Sequence, residues 1–164
     1  MRDTQLTFLS PTFGHMALDE ACRSIFDYMR EEPKFRYSII VGSDSQGFGD
    51  VDFVTALVVH RVGRGGRCFI TKTRIPNITA LRQKIYQEAT LSLEITQLVV
   101  EKLKQFLDEE YLHKGLEIHV DIGENGPTKE MIKEVVGMVK GSGYTVRIKP
   151  YSFGASCVAD RYTG

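Results

Sequence analysis

Tyr37-Ser-Ile-Ile-Val-Gly-Ser-Asp-Ser-Gln46 is an apolar, β-branched run that stops abruptly at a carboxylate flanked by small residues. Successive Ile and Val suit a strand buried on both faces. An Asp at the end of such a strand is costly unless it is paired, hydrogen-bonded or bound to a metal. The rest of the chain must therefore supply what Asp44 meets.

Two more strands follow closely. Gln46-Gly-Phe-Gly-Asp50 is a glycine-rich turn, and Phe53, Ala56, Val58, Val59 and Val62 mark a second strand over about 51–62. Gly63-Arg-Gly-Gly66 is another turn, with glycines available for positive φ. Cys68, Phe69 and Ile70 mark a third strand over about 67–74. Loops this short join antiparallel neighbours, so the three strands form a meander. Ile75-Pro-Asn-Ile78 breaks the pattern, and Thr79 opens a long helix running to about Leu112. Its inward stripe is Leu81, Ile85, Glu88, Ser92, Ile95, Val99, Leu103 and Phe106. Glu94 lies on the polar face, but Glu88 lies on the apolar stripe, where an acid is rarely tolerated without a partner.

Beyond Gly115, Leu116, Ile118 and Val120 alternate with Glu117, His119 and Asp121, a fourth strand that also ends in a carboxylate. Asn125 or Thr128 can cap the next helix, over about 128–141, with Pro127 in its first turn. Tyr144 to Lys149 is a fifth strand, stopped by Pro150, and Ser152 can cap a last helix over about 153–163 that carries Asp160. Upstream, Leu18, Ala21, Cys22, Ile25, Tyr28 and Met29 share one face of a helix over 17–32, ended by Pro33. Residues 1–16, with Pro11 and Gly14, read as irregular. Right-handed crossovers place strands one, four and five parallel and adjacent. Asp44 and Asp121 then end side by side at one edge of a five-stranded mixed sheet. Residues 1–36 read as an N-terminal extension with an accessory helix, and 37–164 as the α/β domain proper, one globular unit overall.

A chain of 164 residues, 42% hydrophobic, suits one domain with a real core. Zero net charge excludes a global pull toward nucleic acid or membrane. There is no apolar run of about 18 residues to span a bilayer and no apolar stretch near Met1 of the kind a signal peptide needs. Cys22, Cys68 and Cys157 are odd in number and far apart. They point to unpaired thiols in the cytoplasm, without a disulfide-linked partner or a zinc site. Locally, Arg61, Arg64, Arg67, Lys72, Arg74, Arg82 and Lys84 fall between Phe53 and Gln87 with no acid among them. That run reads either as a solvated sheet edge or as a phosphate-binding patch beside an acidic site.

Four carboxylates stand out: Asp44, Glu88, Asp121 and Asp160. Hard dications prefer oxygen ligands, which clustered carboxylates supply. Two such ions about 4 Å apart activate a water and stabilise the leaving oxygen of a phosphodiester. Taken singly, Asp44 suits a turn, Asp121 a helix cap, Glu88 a salt bridge to Arg82 or Lys84, and Asp160 an exposed helical position. His119 shares a strand face with Asp121 and is either an acid/base group or an ordinary packed histidine. Gly123-Glu-Asn-Gly126 is either a phosphate-facing loop or a plain turn.

The strand order and the sequence of Asp, Glu, Asp and Asp resemble the ribonuclease H-like superfamily, and more closely the bacterial YkuK-type family within it. The stretches that carry the likeness are GSDSQ (42–46), FVTALVVHR (53–61), LRQKIYQEATLSLE (81–94), IHVDIGENGPTKEMIKEVVGMVKGSGY (118–144) and IKPYSFGASCVAD (148–160). The resemblance implies a ribonuclease H-like α/β fold with an added N-terminal helix. It also implies that Asp44, Glu88, Asp121 and Asp160 are the catalytic ligands of Mg²⁺ or Mn²⁺ in a nuclease acting on RNA, DNA or a hybrid. Arg82, Asn125, Thr128 and Lys149 would contact the nucleic acid. No Glu stands two residues after Asp44, so the Asp-x-Glu pair of proofreading-type exonucleases is absent. Two other readings stand beside the nuclease: a non-catalytic ribonuclease H-like binding module, and phosphotransfer of the actin or sugar-kinase kind.

Overall fold

The computed structural model describes residues 6–149 and 151–152. Cys157, Asp160 and the expected last helix lie outside them. Among the described residues seven strands form one mixed sheet: β1 (Thr7–Ser10), β2 (Gly14–Ala17), β3 (Tyr37–Ser45), β4 (Gly49–Arg61), β5 (Gly66–Ile78), β6 (Leu116–His119) and β7 (Thr145–Arg147), in the order β2-β1-β5-β4-β3-β6-β7. The helices are α1 (Leu18–Glu31), α2 (Leu81–Leu103), α3 (Glu109–Gly115) and α4 (Ile132–Gly141).

The central meander forms as the sequence predicts. β3 pairs antiparallel with β4, from Tyr37 against Arg61 to Ser45 against Phe53, and β4 pairs antiparallel with β5. β6 joins β3 in parallel, with Gly42 against His119, and β7 joins β6 in parallel. The C-terminal ends of β3, β6 and β7 therefore share one sheet edge.

The sheet has two more strands than the sequence predicts. Pro11 and Gly14 do not break structure: they form the turn of a β1–β2 hairpin. Ser10 Oγ accepts the backbone N–H groups of Thr12 and Phe13 at 3.2 and 3.1 Å, and Gly14 takes φ +76°. Leu9 pairs with Ile70, which adds the hairpin to the edge of β5, and Phe8 is fully buried. A strand of four residues holds too few alternations to register as a pattern. β5 also runs on through Pro76 to Ile78. A register shift between Gly49 and Val51 opposite, together with φ +62° at Asn77, absorbs the missing donor.

The expected long helix divides. α2 ends at Leu103, and Asp108 starts α3 by accepting the N–H of Tyr111 at 2.8 Å. Asp108-Glu109-Glu110 is an N-cap followed by an acidic first turn, so α3 begins afresh. At the next helix, neither Asn125 nor Thr128 provides a cap. A 3₁₀ turn over Lys129–Met131 leads into α4, and Thr128 Oγ1 accepts the N–H of Gly123 at 3.3 Å.

α1, α2 and α4 pack their apolar stripes on one face of the sheet, against Ile39, Val41, Leu57, Val59, Phe69, Leu116 and Ile118. Cys22 is buried there, its thiol pushed up to about 12 by desolvation. The opposite face carries a smaller buried cluster of Ile40, Val54, Ala56, Val58 and Ile70. Among the described residues no helix is long and apolar enough to cross a membrane, and Cys22 and Cys68 form no disulfide.

The basic run does not make one patch. β4 is 13 residues long, so Arg61 lies roughly 40 Å along the strand from Gly49. At that far end Arg61 sits 4.0 Å over the Tyr28 ring and donates to the Tyr28 carbonyl and the Tyr37 hydroxyl. Arg67 donates to Ser24 and stacks on Tyr28 at 4.8 Å. These arginines tie α1 to the sheet. Arg74 pairs with Asp52 at 3.0 Å. Since Phe8 anchors the hairpin in the main core, Phe8→Ala should lower the unfolding free energy by about 3 kcal/mol in urea titrations. An irregular, undocked N-terminus would give a change below about 0.5 kcal/mol.

Candidate functional site

Two hydroxyls set how α2 lies on β3. Ser43 Oγ is 2.8 Å from both Thr55 Oγ1 and Ser92 Oγ, and Ser45 donates to Glu88 Oε2 at 2.6 Å. Two residues along a strand advance about 6.6 Å and four along a helix about 6 Å, so the paired contacts keep step. α2 therefore runs antiparallel to β3, and its N-terminal turns project past the strand end. Lys84, one turn before Glu88, reaches the β3–β4 turn and lies 5.0 Å over the Phe48 ring.

Strand alternation decides where Asp44 points. Ser43 and Ser45 face α2, so Asp44 faces the other side, opposite Val54 in the β4 register. It is 9% exposed. Glu88 is 5% exposed on the α2 side. The two acids thus share the sheet edge but not a sheet face. Their fields still meet. Burial pushes the Glu88 carboxyl up to about 8, against the opposing hydrogen bond from Ser45, and Asp44 and Asp121 push it the same way as burial while Lys84 opposes. Asp121, half-buried just past β6, is 3.2 Å from Lys149 Nζ.

Gly123 makes that ion pair possible. A Cβ there would come within 2.9 Å of Lys149 Cβ, so a side chain would push the lysine stem away. Asn125 and Lys149 line a cavity of about 500 Å³ together with Gly123, Glu124, Ile148 and Tyr151. His119 lies on the Asp44 side of β6, opposite Gly42. Its Nε2 is 3.4 Å from Glu117, which also accepts from Arg147 at 2.8 Å. Burial holds the His119 pKa below its ordinary value, against the pull of Glu117. Arg82 is turned to α4, pairing with Glu134 at 2.6 Å, and Tyr86 donates to the same carboxylate.

The geometry thus brings Asp44, Glu88 and Asp121 within electrostatic reach at one edge. Asp160 lies outside the described residues. Among the described residues no three His, Cys, Asp or Glu side chains draw close enough to hold a metal ion. The donor chemistry nonetheless suits a hard dication: carboxylate oxygens, among them a Glu88 whose proton is held chiefly by burial. Sequence reasoning missed Ser45 and Phe48 as neighbours of the site, while Lys84, expected as a possible partner of Glu88, does lie near it. Ser45 carries a readable signal, since it shares the parity of Ile39 and Val41 and so faces the same helix.

The sequence profile of the Ribonuclease H-like family matches residues 20–164. The chain belongs to this family. It is 30% identical to the uncharacterized protein YkuK of Bacillus subtilis (strain 168), over 95% of this chain and 96% of that protein. No solved structure matches it. The carboxylate edge lies at the ends of parallel neighbours β3 and β6, the place where open α/β sheets bind ligands.

A carboxyl whose folded pKa is raised adds stability that is complete below its ordinary value of 4.5 and is lost as pH rises through about 8. In chelator, urea midpoints should therefore fall from about pH 5 to about pH 8. Glu88→Gln should flatten that slope and gain on the order of 2 kcal/mol at about pH 8. An unchanged slope in Glu88→Gln would show that Glu88 titrates normally.

Proposed function

We propose that this protein is a divalent-metal-dependent hydrolase of nucleic-acid phosphodiester bonds. The observation that carries the reading is Glu88: an acid buried to 5% exposure, beside the ends of two parallel strands, one carrying Asp44 and the other leading into Asp121. Burying Asp44 and Glu88 beside a half-buried Asp121 works against folding unless a cation answers them. Asp44, Glu88 and Asp121, with Asp160, would hold Mg²⁺ or Mn²⁺, which supplies Lewis-acid activation of water and of the phosphoryl oxygen when bound. The protein's own groups do the rest. Ser45 fixes the Glu88 carboxylate, and Lys149 supplies positive charge beside Asp121 for the phosphate. His119, its pKa held low, is neutral at physiological pH and able to accept a proton.

Purified protein with Mn²⁺ or Mg²⁺ should cleave end-labelled RNA or DNA, and Asp44→Asn or Asp121→Asn should reduce the rate about 100-fold or more with the fold intact by circular dichroism. Equal rates in parent and variants would remove both residues from the chemistry. Glu88→Gln should lose activity while raising stability, a combination that a purely structural Glu88 would not show.

A second reading, a ribonuclease H-like binding module without turnover, is favoured by the Lys149–Asp121 ion pair, in which an ammonium already answers one of the acids. Under it, labelled nucleic acid is retained but not cleaved in either metal. Lys149→Met should raise metal affinity at Asp121 under either reading, and only in the hydrolase is bound metal accompanied by cleavage.

A further inference from the structure

Two exposed aromatic side chains stand at the carboxylate edge, each with a lysine. Phe48, 57% exposed, sits in the β3–β4 turn with Lys84 Nζ 5.0 Å over its ring. Tyr151, 67% exposed, follows β7 and lines the cavity of about 500 Å³ with Lys149. Between them lie the ends of β3 and β6 with Asp44 and Asp121. Phe48 and Tyr151 are the two most exposed large apolar side chains among the described residues, and both stand at the edge where the acids gather.

We propose that the two aromatic–lysine pairs grip a single-stranded nucleic acid on either side of the carboxylates, Phe48 stacking one base and Tyr151 a second base lodged in the cavity. This rests on the hydrolase reading for its placement of the phosphate, and it adds the substrate class. Stacking on an aromatic ring needs an unpaired base, whereas a duplex would first have to expel one. The cavity falls within the range of about 300–1,000 Å³ typical of small-ligand sites, and the Asn125 amide and Glu124 carboxylate on its wall can read a base edge. β3 and β7 are two strand positions apart, about 10 Å. At about 3.4 Å per nucleotide along a strand, that strand spacing corresponds to about three nucleotides. The charge arrangement fits as well. Lys84 and Lys149 bring positive charge to each flank, while the arginines of the β4–β5 turn are engaged with α1 at the far end. The two arginines flanking that turn, Arg61 and Arg67, are thereby kept from this edge.

The test is fluorescence anisotropy of a labelled 12-nucleotide RNA, the same sequence as DNA, and the matching RNA–DNA hybrid, in chelator so that nothing is cleaved. The single strands should bind at least about 10-fold more tightly than the hybrid. Phe48→Ala and Tyr151→Ala should each weaken single-strand binding about 10-fold, and Phe48→Trp should restore it. Lys84→Ala and Lys149→Ala should each lower the slope of log affinity against log salt by about one. Both aromatic positions are exposed, so thermal midpoints should not move. A hybrid bound as tightly as the single strands, or alanine variants within twofold of the parent, overturns the proposal. Single strands held by both rings yet never cleaved in Mn²⁺ would support it and sink the hydrolase reading. Asp44-dependent cleavage of a hybrid that ignores both rings would do the reverse.

Discussion

The contact on which the site depends is the hydrogen bond from Ser45 to Glu88. It joins the last residue of the central strand to the first buried acid of the long helix, and with the Ser43–Ser92 contact it sets how far α2 slides along β3. Larger residues at 43, 45 or 92 would lift the helix away from the sheet, because hydroxyl contact requires small side chains. With the helix held there, Glu88 is out of water and close to two other acids, and its proton becomes hard to release. The strain is electrostatic and local. It is the kind of local expense that folded proteins carry at functional sites rather than in their cores.

The two ends of the sheet do different work. At the β4–β5 turn, guanidinium groups stack on Tyr28, Phe35 and Phe13 and bond to α1. There the positive charge is structural: it covers aromatic surface and satisfies the carbonyls at the helix end. At the opposite edge α2 runs past the end of β3, glycines at 47 and 49 take positive φ, and carboxylates, lysines and two exposed aromatic rings collect. A neutral protein can thus present one polarised edge without any overall charge. The functional reading rests on this edge, since membership in the ribonuclease H-like family establishes a scaffold on which chemistry varies.

Much of the fold was legible because its central elements carry strong periodicity. β3 and β4 are long and rich in Val and Ile, α1 and α2 show clear apolar faces, and the parallel placement of β3, β6 and β7 follows from the handedness of crossovers. The β1–β2 hairpin was not legible, since its strands span four residues each and one of them exposes alternate residues at a sheet edge. The break between α2 and α3 was written in Asp108-Glu109-Glu110 but was masked by an apolar pattern that continues across it through Phe106 and Leu112. The basic run from Arg61 to Lys84 misleads for another reason: a strand of 13 residues carries neighbours in sequence to opposite ends of the molecule.

At the site, the sequence by itself determined which acids are anomalous. An Asp ending a buried strand and a Glu on an apolar helical stripe conflict with burial whatever the fold around them. It also determined, through strand order, that Asp44 and Asp121 end at the same edge. The tertiary structure alone decided what answers those acids. Ser45 reaches Glu88 because helix and strand advance in step, Lys149 reaches Asp121 because Gly123 leaves room for its stem, and Arg82 goes to Glu134 because α4 packs beside α2. Periodicity along a chain says which face a residue occupies. The partner across the gap depends on distances between elements, and those are set by side-chain size and packing far away in sequence.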